Sequence, residues 1–337
     1  MKEDIQMPGQ GNNSDLIKVS VVIPSYCLRK YIVECVDSIV RQKTDFDFEI
    51  LVGDDASTDG TQEEIAKYVE SLPGHLRQMV RLFFPSENKG LVGNLNDLFA
   101  HCRGQYIAYM DGDDLALPGK LQGQADYLDE HPNCAIVYHE SEVFHSETGK
   151  VIRLYSRDFY NSRYIPQQAG IVHLVKYGTF LQASAVMFRH HGQLSRVLDP
   201  RCRIIVDYSM HMFNAYFGKG TIDRQDTIWG KYRVHEDSFG AQTSRSAERR
   251  EAVLGELLVA CDNALDMGVS QGEVQQGKAH FRYAAALYFL RMGRIDLFNF
   301  YIETSVDQEQ FFDGKHEFIY RHRHSPQLIL DAYELSS

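Results

Sequence analysis

The chain has little that would tie it to a membrane, a disulfide framework or a nucleic-acid polymer. None of its 337 residues belongs to a run approaching the length of an apolar membrane span, and residues 1–16, rich in Gln, Gly and Asn, lack the apolar core of a signal peptide. The six cysteines (Cys27, Cys35, Cys102, Cys134, Cys202, Cys261) are dispersed, with no Cys-x-x-Cys pair and no zinc-like spacing. They read as reduced thiols of a cytoplasmic protein. Positive charge is short: 35 Lys and Arg face 46 Asp and Glu, and a net charge of −11 excludes nucleic acid as the main partner. Internal repeats are absent, and low complexity is confined to the 1–16 tail, which is expected to be disordered. These absences leave a soluble or peripheral protein.

What is present suffices for one large α/β domain and a smaller addition, with 44% hydrophobic residues to fill a core. From Val19 to about Tyr138, short β-rich runs alternate with amphipathic stretches, the pattern of a mostly parallel sheet covered by helices. Strands are expected at Val19–Ile23, Phe48–Gly53, Val80–Phe84, Gln105–Met110, Ala135–Tyr138, Glu142–His145 and Ala185–Phe188. Helices are expected where Ile32, Cys35, Val36, Ile39 and Val40 recur, and at Leu91–Cys102, Leu117–Glu130 through Pro118, Ala169–Lys176 and Ile205–Phe217. After Gly240 the periods lengthen, at Ala247–Met267, Gln271–Met292 and Ile295–Ile302, and predict an appended helical region over 241–337.

The chemistry concentrates where strands end. Ile107-Ala108-Tyr109-Met110 runs into Asp111-Gly112-Asp113-Asp114, three carboxylates within four residues. Clustered acids at the end of a buried strand repel one another unless a hard cation offsets them, and Mg²⁺ or Mn²⁺ with open positions for phosphate oxygens fits. A second acidic end, Asp54-Asp55, follows Phe48–Gly53 and leads through Thr61 and Glu64, a capping pair, into a helix. Ligands of open α/β sheets sit beyond the carboxyl ends of the strands, so the two clusters can share one.

In this order and spacing, Val21-Val22-Ile23-Pro24-Ser25-Tyr26, Asp54-Asp55-Ala56-Ser57-Thr58-Asp59-Gly60-Thr61, Asn88-Lys89-Gly90, Gly104-Gln105-Tyr106-Ile107, Asp111-Gly112-Asp113-Asp114 and Tyr232-Arg233-Val234-His235 resemble family 2 glycosyltransferases. These are inverting enzymes of GT-A fold that use nucleotide-diphosphate sugars, and the likeness runs from Val19 to about Ser238. It implies a 17–240 GT-A domain, with a nucleotide-binding half at 17–115 and an acceptor half at 116–240. It further implies that Pro24, Ser25 and Tyr26 border the base, that Asp55 accepts from a uracil or thymine imide, and that Asn88 lies on the nucleotide side. Asp111 and Asp113 would hold ribose hydroxyls and metal-bound water, Asp114 would be the main ligand of Mn²⁺ or Mg²⁺, and His235, with Ser238 close by, would join the metal and pyrophosphate.

Asp207, in Ile205-Val206-Asp207-Tyr208, matches the family's base, with Val206 replacing a preceding acid. Gln182 and Ser184 fall where the family contacts its acceptor. An arginine common on the phosphate side is missing from Asn94-Leu95-Asn96, leaving Lys89 or Asn94 as substitutes. The implied activity is metal-dependent inverting transfer from a UDP-sugar, or second a dTDP-sugar, to a glycan or lipid-linked saccharide of surface polysaccharide, at the inner membrane face. The oligomeric state stays open. Two other classes pair an α/β sheet with carboxylates: sugar nucleotidyltransferases or hydrolases, and non-catalytic nucleotide-sugar-binding modules. Pro24-Ser25-Tyr26-Cys27 stands where sugar nucleotidyltransferases carry a Gly-rich basic loop.

Overall fold

The computed structural model describes residues 17–307 and 310–333; the expected 1–16 tail lies outside them. Among the described residues ten strands form one sheet: β1 (Val19–Ser25), β2 (Phe48–Asp54), β3 (Val80–Phe83), β4 (Tyr106–Tyr109), β5 (Leu115–Ala116), β6 (Cys134–His145), β7 (Val151–Leu154), β8 (Gln168–Ala169), β9 (Val186–Arg189) and β10 (Thr221–Val234). The main order is β3-β2-β1-β4-β9-β6-β10-β5, with β7 on β6 and β8 on β10. Pairs β3-β2, β2-β1, β1-β4 and β6-β10 are parallel, whereas β9 runs antiparallel between β4 and β6. The parallel strands therefore open their carboxyl ends along one edge, where both acid clusters lie.

Side-chain alternation on β1 divides the core. Val19, Val21 and Ile23 pack with Ile32, Val36, Ile39 and Ile65 on one face, while Val22 joins Leu51, Leu95 and Leu98 on the other. That second cluster runs without a break through Val206, Tyr208, Phe281 and Phe298 to Ile329, so the C-terminal helices share a core with the sheet. They span Phe239–Arg245, Ala247–Asp266, Gln271–Arg291, Ile295–Thr304, Gly314–Arg321 and Pro326–Ala332. The helix Gln271–Arg291 comes so close to Ile171–Tyr177 that a Cβ on Gly277 would lie 2.2 Å from the Val175 carbonyl oxygen.

Several boundaries differ from expectation for local reasons. The two strands expected at 135–138 and 142–145 are one, because the polar stretch His139–Ser141 between them is buried. Glu140 there accepts the backbone N–H groups of Ser141 (2.8 Å), Ser156 (2.9 Å) and Arg157 (2.8 Å). The 14-residue β10 had no clear alternation to show it: Arg224, Gln225, Asp226 and Thr227 interrupt the pattern, and the register shifts between Gln225 and Ile228. Thr61 and Glu64 do not form a capping box. The helix Thr61–Ser71 starts after Gly60, at φ +91°; the Thr61 N–H donates to Asp59 (3.0 Å) and Glu64 pairs with Arg29 (3.0 Å). Pro118 precedes the helix Lys120–Glu130, whose N-cap is Gly119 at φ +92°.

Candidate active site

The ends of β1, β2, β4 and β10 meet the loop before β9 and the first turn of the helix Val206–Gly218 in one cleft. At its nucleoside end, Pro24 and Ser25 close β1 buried, and Tyr26 turns outward, 51% exposed. Asp54 is sealed beneath, accepting the hydroxyls of Ser57 (2.6 Å) and Ser25 (3.3 Å). Asp55 accepts the Lys89 N–H (2.8 Å), while the Asn88 amide donates to its carbonyl (2.9 Å). Burial raises the Asp55 carboxyl, with the N–H groups of Lys89 and Gly90 offsetting part of that rise. Asn88 thus braces Asp55. Neither substitute for the missing arginine is free: Lys89 Nζ pairs with Asp97 (2.5 Å), and the buried Asn94 amide donates to the Gly53 carbonyl (2.7 Å).

The three acids after β4 have separate surroundings. Asp111 accepts the Tyr109 hydroxyl (2.7 Å), its N–H donates to Ser184 Oγ (2.8 Å), and burial, with Asp113 next in effect, pushes its carboxyl up to about 7. Asp113 Oδ2 lies 3.0 Å from His235 Nε2, and His235 stacks beside Tyr31 at 4.7 Å with its Nδ1 unpartnered. Asp114 is wholly buried and faces the protein. Its Oδ2 accepts from Gln182 Nε2 (2.8 Å) and Ser184 Oγ (2.6 Å), and its Oδ1 from the Arg233 N–H (2.8 Å). Burial raises this carboxyl well above its ordinary range, and the charges of Asp113 and Asp111 add to the effect.

Asp114, expected as the main metal ligand, has both oxygens engaged by protein donors, and Gln182 and Ser184, expected against the acceptor, are buried beside it as two of those donors. Beneath them lies a buried lysine that the sequence reading missed. Lys120 Nζ donates to the Ser184 carbonyl (2.8 Å) and Gln124 (3.1 Å) and meets His139 Nε2 (3.0 Å). Burial lowers its pKa to about 7 against the opposing pull of Asp114. Arg233 was also missed as a site residue, although it sits inside a quoted motif. Its guanidinium donates to the Asp113 carbonyl (2.7 Å), pairs with Glu34 (2.6 Å) and stacks over Tyr31 (4.9 Å) and Phe144 (4.8 Å).

Asp207 stands in the first turn of its helix, half-buried, with its pKa raised by burial and partly offset by backbone N–H donation. Its charge acts on Asp111, Tyr109 and Tyr155, so it lies near the acid cluster. Tyr155 packs edge-on against Tyr232 at 5.9 Å, so two tyrosines wall the space between. Ser238 caps the helix Phe239–Arg245 through the Ala241 N–H (3.3 Å). Among the described residues no three His, Cys, Asp or Glu side chains form a metal cage.

Comparison with known proteins agrees with this architecture. Uncharacterized protein Rv1520 of Mycobacterium tuberculosis is 29% identical over 237 residues, 69% of this chain and 63% of that protein, so the chain spans less than two thirds of this relative's length. The putative glycosyltransferase EpsE of Bacillus subtilis is 35% identical over 120 residues, 36% of this chain and 41% of EpsE. S. aureus TarS 1–349, solved in complex with UDP-GlcNAc, superposes with a TM-score of 0.62 at 18% identity, covering 94% of this chain and 89% of that one. The mannosyltransferase PcManGT from Pyrobaculum calidifontis, solved with GDP-Man and Mn²⁺, reaches 0.59 at 16% identity, covering 94% and 87%. These likenesses establish the fold as GT-A, and the sequence pattern described as glycosyl transferase family 2 matches residues 20–187. The chain belongs to glycosyl transferase family 2.

Proposed function

We propose that the chain is an inverting glycosyltransferase that moves a sugar from a nucleoside-diphosphate donor to a hydroxyl of a glycan or lipid-linked saccharide. The carrying observation is the Asp113–His235 pair at the end of β4, together with Asp207, a half-buried carboxylate raised above its usual range whose charge acts on the neighbouring Asp111. Asp207 takes the proton of the acceptor hydroxyl as its oxygen bonds to the anomeric carbon, and the bond from that carbon to the diphosphate oxygen breaks on the opposite side. A raised pKa makes Asp207 a stronger base than an ordinary carboxylate.

Asp113 and His235 are the residues suited to a divalent ion. Their facing atoms are 3.0 Å apart, close enough that both would hold one ion. One carboxylate and one imidazole leave the other positions to diphosphate oxygens and water, so the donor set fits Mn²⁺ or Mg²⁺ held jointly by protein and donor. When bound, the ion would neutralise charge on the departing diphosphate. In this reading Asp114 is a buried anchor, and Gln182, Ser184 and Lys120 hold it in place.

Asp55, at the base end, supports a uridine donor, or second a thymidine donor, because a carboxylate accepts from a pyrimidine imide; TarS with UDP-GlcNAc is consistent with this. Polysaccharide assembly is supported by the name of a second Bacillus subtilis relative, the putative teichuronic acid biosynthesis glycosyltransferase TuaG, 31% identical over 120 residues. No described helix is long and apolar enough to cross a membrane. We place the activity in the cytoplasm at the inner membrane face, a reading supported by six cysteines that are all free thiols.

The test is release of nucleoside diphosphate from UDP-, dTDP- and GDP-sugars with Mn²⁺ or chelator. Metal-dependent release from a uridine donor, abolished in Asp113→Asn and Asp207→Asn, is expected. Saturable donor binding without release from any donor would replace the enzyme by a binding module.

A further inference from the structure

The C-terminal helices meet the helix Ile171–Tyr177 around a recess that the candidate active site does not use. A cavity of about 400 Å³ lies between that helix and Gln271–Arg291, with Tyr164 and Phe312 also in its lining. Small-ligand sites occupy about 300–1,000 Å³, so this one is large enough to hold a ligand. Gly277 marks where the two helices touch, its missing side chain admitting the Val175 carbonyl, and the residues next to that contact, Lys176 and Gln276, border the cavity.

Two chemistries line it. Tyr164 and Tyr177 are parallel rings with centroids 5.1 Å apart, and Phe312 is steeply inclined to both at 6.1 and 6.3 Å. The buried His280 stacks on Phe312 at 4.4 Å, and Asn161 donates to the Tyr177 carbonyl (2.9 Å), so the rings are fixed from behind. The helix Gln271–Arg291 adds Gln275 and Gln276, exposed residues whose amides make no hydrogen bond among the described residues. A pyranose presents an apolar C–H face and hydroxyls that both donate and accept. Half-buried rings cover the first, and primary amides, with two N–H donors and a carbonyl acceptor each, satisfy the second. An anionic ligand would find one lysine, Lys176, offset by Asp307, and no arginine among the described lining residues.

We propose that this cavity binds a neutral pyranose chain and makes the C-terminal helices a glycan-holding part of the protein. The site goes beyond the transferase reading, since holding a glycan there requires no transfer. Tyr164 follows Tyr155, which packs on Tyr232, by nine residues, a reach of at most about 32 Å. On the glycosyltransferase reading the chain held there is the acceptor, gripped away from its reacting hydroxyl, and a second point of attachment raises the concentration of that hydroxyl at the cleft.

The experiment measures binding, so it does not depend on turnover. Binding of cellohexaose, maltohexaose, chitohexaose and mannohexaose is compared with that of glucose, N-acetylglucosamine and mannose by ligand-observed NMR and calorimetric titration, in the full chain saturated with UDP. The variants are Gln275→Ala combined with Gln276→Ala, Tyr177→Leu, and Asp207→Asn in the cleft, with UDP affinity measured in parallel. Wild type is expected to bind at least one hexasaccharide about tenfold more tightly than the matching monosaccharide. The double variant, which removes two hydrogen-bonding amides from exposed helix positions, should lose about tenfold of that affinity and keep its affinity for UDP. Tyr177→Leu should weaken the same binding through the lost ring. Wild type that binds none of the hexasaccharides overturns the proposal whatever the variants do. So does hexasaccharide binding that the double variant keeps at full strength, or that only Asp207→Asn weakens, which would put the glycan in the cleft alone. Should the amides be needed for binding while no sugar is transferred, the transferase reading alone fails; transfer without such binding fails this site alone.

Discussion

Removing Asp114 should unfold the site, whereas removing Asp113 should silence it. Asp114→Ala deprives three buried donors of their acceptor: the Gln182 amide (2.8 Å), the Ser184 hydroxyl (2.6 Å) and the Arg233 N–H (2.8 Å). Ser184 can rotate its proton elsewhere, but the Gln182 amide and the backbone N–H are held by their surroundings. Each buried donor left without an acceptor costs about 1–3 kcal/mol, so the variant should lose about 2–6 kcal/mol of stability. Lys120 also loses its nearest named anion and is driven further toward its neutral form. The Asp113 carboxylate is paired with His235 alone (3.0 Å), so its replacement by alanine should cost less stability than the loss of the three donors' acceptor at Asp114. The assay is urea denaturation followed through Trp229, the chain's single tryptophan, which lies edge-on to His139 at 6.3 Å and reports on this region. Mn²⁺-dependent UDP binding is measured on the same proteins. An Asp114→Ala variant that unfolds at the wild-type midpoint and has lost metal-dependent binding would refute the reasoning and return the ligand role to Asp114.

Two further outcomes test the frame around the site. Gly277→Ala places a Cβ 2.2 Å from the Val175 carbonyl oxygen, so the helix Gln271–Arg291 must withdraw at a cost of about 1–3 kcal/mol; an unchanged melting temperature would contradict that close approach. Acid should loosen the C-terminal helices, because burial pushes His280 and His316 down to about 4. Both stay neutral in the fold while the unfolded chain protonates near 6.5, so the stability they contribute is complete above that pH and is lost as pH falls from about 6.5 toward 4. Melts across that window should show the slope, and His316→Gln, which alters a side chain bonded to Ser305 (2.8 Å) and to the Phe312 N–H (3.0 Å), should reduce it.

The nucleotide half was legible because its signals are local. β1, β2 and β4 are apolar runs that end in polar motifs, and a parallel strand buried on both faces needs no partner to declare itself. The long C-terminal helices announce themselves by period in the same way. The division of labour among Asp111, Asp113 and Asp114 was not legible. Adjacent carboxylates in an irregular segment point in different directions, and which one faces inward is decided by Gln182, Ser184 and Arg233, up to 119 residues away. Lys120 and Glu140 were hidden for a related reason: a buried ion and a buried acceptor of three N–H groups look, in sequence, like a helix-surface residue and a turn.

The same long-range bonds suggest why reaction and specificity reside in different parts of this cleft. Asp114 binds the loop before β9 through Gln182 and Ser184 and the end of β10 through Arg233, while Lys120 fastens that loop to the helix Lys120–Glu130 and to β6. A floor bonded from four sides cannot shift without leaving buried polar groups unpaired, so the spacing between Asp113 and His235 is stiff. The wall is built differently. Tyr155 is half-buried, comes from the segment after β7 rather than from a strand, and packs edge-on against Tyr232 at 5.9 Å. Substitution at the wall alters what is held without disturbing the pair of groups that reacts, so exchange of acceptors among proteins of this fold is expected to track the wall residues and spare the floor.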